Sequence, residues 1–107
     1  MSQENLECGG SQMSSFFKVL SNDDRIRILM HLMQTECTVA QLGEVLNIKQ
    51  PSLSQQLGVL RRSGLVTTRK KGKYVFYGNV RMEARKILEM VEDVFPVTQQ
   101  KRRKQKI

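Results

Sequence analysis

The sequence predicts a mainly α domain with a small β-hairpin, a winged helix-turn-helix, and three observations support it. Apolar residues recur at helical spacing in successive segments between Met13 and Phe95. A stretch rich in Val, Thr, Tyr and Phe, "LVTTRKKGKYVFYGNV", interrupts them once, with Lys71-Gly72 at its middle. The span between Glu44 and Glu83 contains no acidic residue, yet holds Lys49, Arg61, Arg62, Arg69, Lys70, Lys71, Lys73 and Arg81.

At 107 residues the chain suits one domain with one modest core, of a size that dimerisation would help to stabilise. Residues 1–10 are polar, include Gly9-Gly10, and are expected to form a flexible N-terminal arm. Residues 11–96 are expected to hold the winged helix-turn-helix and its dimerisation elements. Residues 97–107, with too little apolar content to pack, are expected to be a basic disordered tail.

The elements follow in order. Met13, Phe16, Phe17 and Leu20 stand at i, i+3, i+4 and i+7, one stripe of a first helix. Ser21 with Asp24 resembles a capping box, so a second helix is expected from there, turning Ile26, Leu29, Leu32 and Met33 towards a core. Thr38 followed by Gln41 repeats that signature and opens a short third helix, with Leu42, Val45 and Leu46 facing inward. Asn47-Ile48 reads as a turn. Pro51 suits the first position of a fourth helix, where its fixed φ is helical and its missing N–H would have no partner, so that helix is expected to start near Gln50.

In the fourth helix Leu53, Leu57 and Leu60 make the buried stripe. Gln55 and Arg62 lie nearly opposite, with Ser52, Ser54 and Arg61 on the flanks. Gly64 is the natural stop. The hairpin comes next, its turn at Lys71-Gly72 and its tip basic. Ala84, Ile87, Leu88, Val91 and Val94 or Phe95 then mark a last amphipathic helix, closed at Pro96.

The charge pattern narrows the function. Of 18 Lys and Arg, eight fall in the acid-free span, so that span alone carries the +8 of the whole chain. Five of the other ten lie in the tail, as Lys101, Arg102, Arg103, Lys104 and Lys106. Such segregation points to a polyanionic partner. The helix that opens with Lys49, Gln50, Ser52, Ser54 and Gln55 presents donors and acceptors suited to base edges and phosphate oxygens, and no carboxylate for phosphate to repel. Arg61 and Arg62 at its far end and Arg69, Lys70, Lys71 and Lys73 on the hairpin would hold the DNA backbone. With four Phe, two Tyr and no Trp, stacking on unpaired bases is not the evident plan. The reading is sequence-specific binding of double-stranded DNA, and so basic a wing argues against the alternative of a protein-interaction module.

No nucleophile–base pair, glycine-rich phosphate loop or paired catalytic carboxylates stand out, so neither an enzyme nor a cofactor site is expected. No apolar run approaches the roughly 20 residues that span a bilayer, and "MSQENLECGG" lacks the basic and apolar regions of a signal peptide, so the chain is expected in the cytoplasm. Two cysteines, Cys8 and Cys37, are too few for a disulfide framework. Cys37 reads as a small, partly buried thiol ahead of a helix, with a redox or metal role shared with Cys8 as the alternative. His31, the one histidine, lies on the second helix and reads as a core or surface residue rather than a ligand. The stripes Met13, Phe16, Phe17, Leu20 and Ile87, Leu88, Val91 exceed what one small core can bury, and are expected to meet those of a second copy across a two-fold axis.

"LSNDDRIRILMHL", "TVAQLGEVLNIKQPSLSQQLGVLRRSGLV" and "TTRKKGKYVFY" resemble the successive signatures of the ArsR/SmtB winged-helix transcriptional regulators. The resemblance covers roughly Phe16 to Phe95. It is strongest over "LSQQLGVLRRSGLV" and the hairpin, towards the branch of hemolysin-type activators and persulfide-sensing repressors. It implies four helices, a two-stranded hairpin and a fifth helix, in a homodimer packed through its first and last helices. It also implies a dimeric repressor acting at imperfect inverted repeats in promoters, or alternatively an activator that displaces another repressor. The family's sensing sites are not matched. Thr38 and Ala40 stand where metal sensors carry cysteines. The last helix, "RMEARKILEMVEDVF", has no histidine. Met30 and Pro96 stand at the persulfide-sensing cysteine positions. No metal ligand set is therefore expected.

Overall fold

A helix over residues 12–20, α1, opens the computed structural model, which describes residues 12–96. The expected arm and tail lie outside the described residues. Leu20 closes α1 inside the core, and Ser21 folds its hydroxyl back to donate to the Lys18 carbonyl at 2.8 Å. Ser21 therefore does not cap the next helix. That role falls to Asn22, extended at φ −150°, whose side chain accepts from the Arg25 N–H at 3.0 Å. Helix α2 runs Asp23–Leu32, its first turn carrying Asp23 and Asp24 against the positive end of the helix dipole. Its buried residues are Ile28, Leu29 and Leu32, while Ile26 and Met33 pack at the margin. The buried arc is wider than the single stripe read from spacing because both α3 and α4 pack on α2.

Helix α3, Val39–Leu46, begins as expected: Thr38 Oγ1 accepts from the Gln41 N–H at 3.2 Å, and Gln41 Oε1 accepts from the Thr38 N–H at 2.9 Å. Leu42 and Leu46 are buried, but Val45 is 57% exposed, against the expectation that it faces inward. The core side of this short helix runs through Val39, Leu42, Gly43 and Leu46, and at 100° per residue Val45 falls more than a quarter-turn away. Asn47, left-handed at φ 57°, ends the helix, and Ile48 donates to the Gly43 carbonyl at 3.2 Å.

Helix α4 runs Ser52–Arg62, with Pro51 as its cap rather than its first residue, so it starts slightly later than expected. Leu53, Leu57 and Leu60 are buried. Its end is a Schellman motif: Gly64, at φ +78°, donates to the Arg61 carbonyl and Leu65 to the Leu60 carbonyl, both at 3.0 Å. Leu65 and Val66 enter the core, and the chain passes straight into β1, Thr67–Lys71.

Strand β2, Tyr74–Gly78, pairs antiparallel with β1, from Thr67 opposite Gly78 to Lys71 opposite Tyr74. The turn is therefore Gly72-Lys73, one residue beyond the expected Lys71-Gly72. Gly72 alone of the two has positive φ, at +63°, the pattern of a type II′ hairpin with glycine first. Cys37 adds an isolated bridge to Tyr77, so the segment before α3 runs along the free edge of β2. Arg81 donates to the Leu65 carbonyl at 2.9 Å and leads into α5, Met82–Val94, whose buried residues are Ala84 and Leu88. No helix among the described residues is long and apolar enough to cross a membrane.

Candidate nucleic-acid interface

Helix α4 is fastened to the domain by its leucines and by one polar contact. Arg25 Nε of α2 donates to Gln56 Oε1 at 2.7 Å, which turns Gln56 inward and leaves its neighbour Gln55 exposed. Lys49, Gln50, Ser54, Arg61 and Arg62 are also exposed, and Ser52 is half-buried. Gln50 has a structural duty that spacing did not reveal. Its Oε1 accepts the Ser54 N–H at 3.0 Å, occupying one of the first-turn donors and leaving the amide nitrogen of Gln50 for other partners. Arg62 lies back along the helix, its Nη1 3.0 Å from where a Cβ on Gly58 would stand.

On the hairpin the four expected cations divide. Lys70, Lys71 and Lys73 are exposed around the tip, with Lys73 Nζ 5.6 Å from the Tyr74 ring centroid. Arg69 is paired. Its Nε donates to Glu36 Oε1 at 3.1 Å and its Nη2 donates to the same oxygen, while the guanidinium stands 5.6 Å from the Phe76 centroid. The Arg69 hydrogen bond, helped by the charges of Arg69 and Lys71, holds the Glu36 carboxyl below the usual carboxylate range.

Cys37 is more buried than expected, at 5% exposure. Burial, and then the neighbouring Glu36 charge, push its thiol above the usual range. Cys8 lies outside the described residues, as do Lys101, Arg102, Arg103, Lys104 and Lys106. His31 and Met30 are half-buried on α2. Among the described residues no three His, Cys, Asp or Glu side chains converge on a point that could hold a metal.

The residues expected at a dimer interface also divide. Leu20 and Leu88 are buried in the chain's own core, with Phe16 and Ile87 half-buried beside it. Met13 and Phe17 on α1 and Val91 on α5 remain outside, at 63%, 52% and 42% exposure. Met82, Met90, Val94 and Phe95 extend the exposed apolar surface of α5 and the residue after it. Spacing alone does not single out Met82 and Met90, because neither falls on the stripe through Ala84, Ile87 and Leu88.

Comparisons with known proteins agree with this geometry. The profile described as "Bacterial regulatory protein, arsR family" matches residues 22–68, from the cap of α2 to the second residue of β1. The chain is 36% identical over 101 residues to the biofilm growth-associated repressor of Xylella fastidiosa, covering 94% of this chain and 88% of that protein. It is 33% identical over 95 residues to the transcriptional activator HlyU of Vibrio cholerae, covering 89% and 88% respectively. The crystal structure of the transcriptional repressor BigR from Xylella fastidiosa superposes with a TM-score of 0.76 at 35% identity, covering 89% of this chain and 97% of that one.

Proposed function

Because the chain belongs to the arsR family of bacterial regulatory proteins, we propose that it is a dimeric, sequence-specific transcriptional regulator that binds double-stranded DNA through α4 and the hairpin. One observation carries the reading: the exposed face of α4, free of acid, runs directly into a hairpin tipped by Lys70, Lys71 and Lys73. In this reading Gln50, Ser52, Ser54 and Gln55 meet base edges, while Lys49, Arg61, Arg62 and the three wing lysines meet phosphates. A regulator of this kind would act on genomic DNA in the cytoplasm.

The exposed Met13 and Phe17 of α1 and Val91 of α5 are the proposed contacts with a second copy, joined by the margins of Phe16 and Ile87. Two copies related by a two-fold axis would offer two α4 helices to the half-sites of an inverted repeat. Repression is the proposed outcome, by occupation of promoter DNA. The experiment is selection of bound duplexes from a random pool, followed by a transcription reporter driven from the recovered site. An inverted repeat and lower transcription are expected. Higher transcription would replace repression with activation, and recovery of no common sequence would contradict specific reading.

A further inference from the structure

The Glu36 carboxylate meets the basic hairpin at Arg69, and its position is built rather than incidental. On one side of it, Thr38 is fixed by its capping box. Next to it, Cys37 exchanges two backbone hydrogen bonds with Tyr77, Cys37 N–H to Tyr77 O at 3.0 Å and Tyr77 N–H to Cys37 O at 2.7 Å. Opposite it, Gly78 carries no side chain, and a Cβ there would lie 2.8 Å from the Glu36 Cβ. The bare strand end lets Glu36 reach over β2 to Arg69 of β1, two strands away from its own backbone.

Arg69 is held correspondingly. Its Nε lies 3.1 and 3.4 Å from the two Glu36 oxygens, its Nη2 donates to Oε1, and its guanidinium borders the Phe76 ring across the hairpin. Exposed ion pairs are ordinarily weak, but here two guanidinium donors, Nε and Nη2, converge on Oε1 of a carboxylate whose backbone is held on a fixed frame. A guanidinium so engaged has fewer donors left for phosphate, and any phosphate that approached it would also approach the Glu36 charge.

We propose that Glu36 is a positioning residue for DNA binding: it clasps Arg69 across Gly78, fastening the wing to the start of the helix-turn-helix and withholding that one cation from the DNA backbone. The inference rests on the wing acting as proposed above. Glu36 thereby limits sequence-independent affinity, since each extra phosphate neutralised strengthens binding to any duplex alike.

The test is the salt dependence of binding to a mixed-sequence DNA duplex, using the full chain. Glu36→Ala keeps the Cβ that packs at Gly78 and removes the carboxylate, and Glu36→Gln removes only the charge. Both should bind tighter, with a slope of log K against log salt steeper by up to about 0.9, the value for one added phosphate contact. Adding Arg69→Gln to either should return the slope to that of the unaltered chain. An unchanged slope in both Glu36 variants overturns the proposal. So does a double variant whose slope falls below that of the unaltered chain, because Arg69 would then already serve phosphate. Lys71→Gln, measured alongside, should flatten the slope. If it does not, the wing reading fails and the clasp's proposed role fails with it, whereas a flattened Lys71→Gln with unmoved Glu36 variants defeats the clasp alone.

Discussion

Arg25 donates from Nε to Oε1 of Gln56 across 2.7 Å, so the middle of α4 is tied to α2 by a charge-assisted hydrogen bond as well as by packed leucines. Its neighbour Gln55 is left facing out. The contact fixes the rotation of the helix about its axis, and with it which side chains are offered to a partner. Gln56→Ala should therefore destabilise the fold by about 1–3 kcal/mol. The same change in an Arg25→Ala background should have a smaller effect, as a double-mutant cycle in denaturant would measure. Additive losses would mean that the two side chains act separately.

Reading and anchoring should separate by mutation. Gln55→Ala or Ser54→Ala should weaken the cognate site more than random DNA, by about 1–3 kcal/mol for a side chain that touches a base edge. Lys71→Ala or Lys73→Ala should weaken both alike. Competition binding with the two kinds of duplex distinguishes these patterns, and wing changes that altered sequence preference would reverse the assignment.

Phe17 and Val91 stand on two helices that leave apolar surface open. Phe17→Glu or Val91→Glu should give monomers in sedimentation at concentrations where the unaltered chain is dimeric, and should lower operator affinity as the two half-sites uncouple. A dimer that survives both changes would place the interface elsewhere.

The buried Cys37 thiol, raised by burial and by Glu36, should alkylate more slowly in the folded chain than in denaturant, as mass spectrometry of its peptide would show. The stability effect follows from the direction of the shift. As pH rises past the ordinary thiol value, about 8.5, the unfolded chain ionises first, so the contribution of this group is full below that pH and is lost towards the higher folded value. Compared with Cys37→Ala, the unaltered chain should lose stability more steeply above about pH 8.5. Parallel curves would contradict the assignment.

What could be read from the sequence was mostly local. The Thr38–Gln41 capping box, the Gly64 stop, the leucine stripe of α4 and the strand-rich hairpin each depend on residues within a few positions of one another. Contacts across the chain were not legible. Arg25 and Gln56 are 31 residues apart, and Arg69 and Glu36 are 33 apart. Nothing in the pattern around Gly78 announces that a chain segment before α3 will cross it. For the same reason spacing sets Leu20 and Leu88 on the stripes of Phe17 and Val91, although both are buried in the chain's own core: it places a residue on a face without saying which neighbour covers it. Val45 misled in a related way, because an apolar residue beside a stripe resembles part of it until the helix is packed.

The central claim, that α4 and the lysine-tipped hairpin form a surface for the DNA backbone and its base edges, is tested most directly by a salt titration of the full chain on double-stranded DNA. Each phosphate neutralised releases condensed counterions, so log K should fall linearly with log salt at a slope of about −0.9 for every contact. A steep linear fall for a duplex carrying the recovered operator is the predicted result, with operator affinity above random-sequence affinity throughout. A slope near zero, or equal affinity for both duplexes at every salt concentration, would contradict the account.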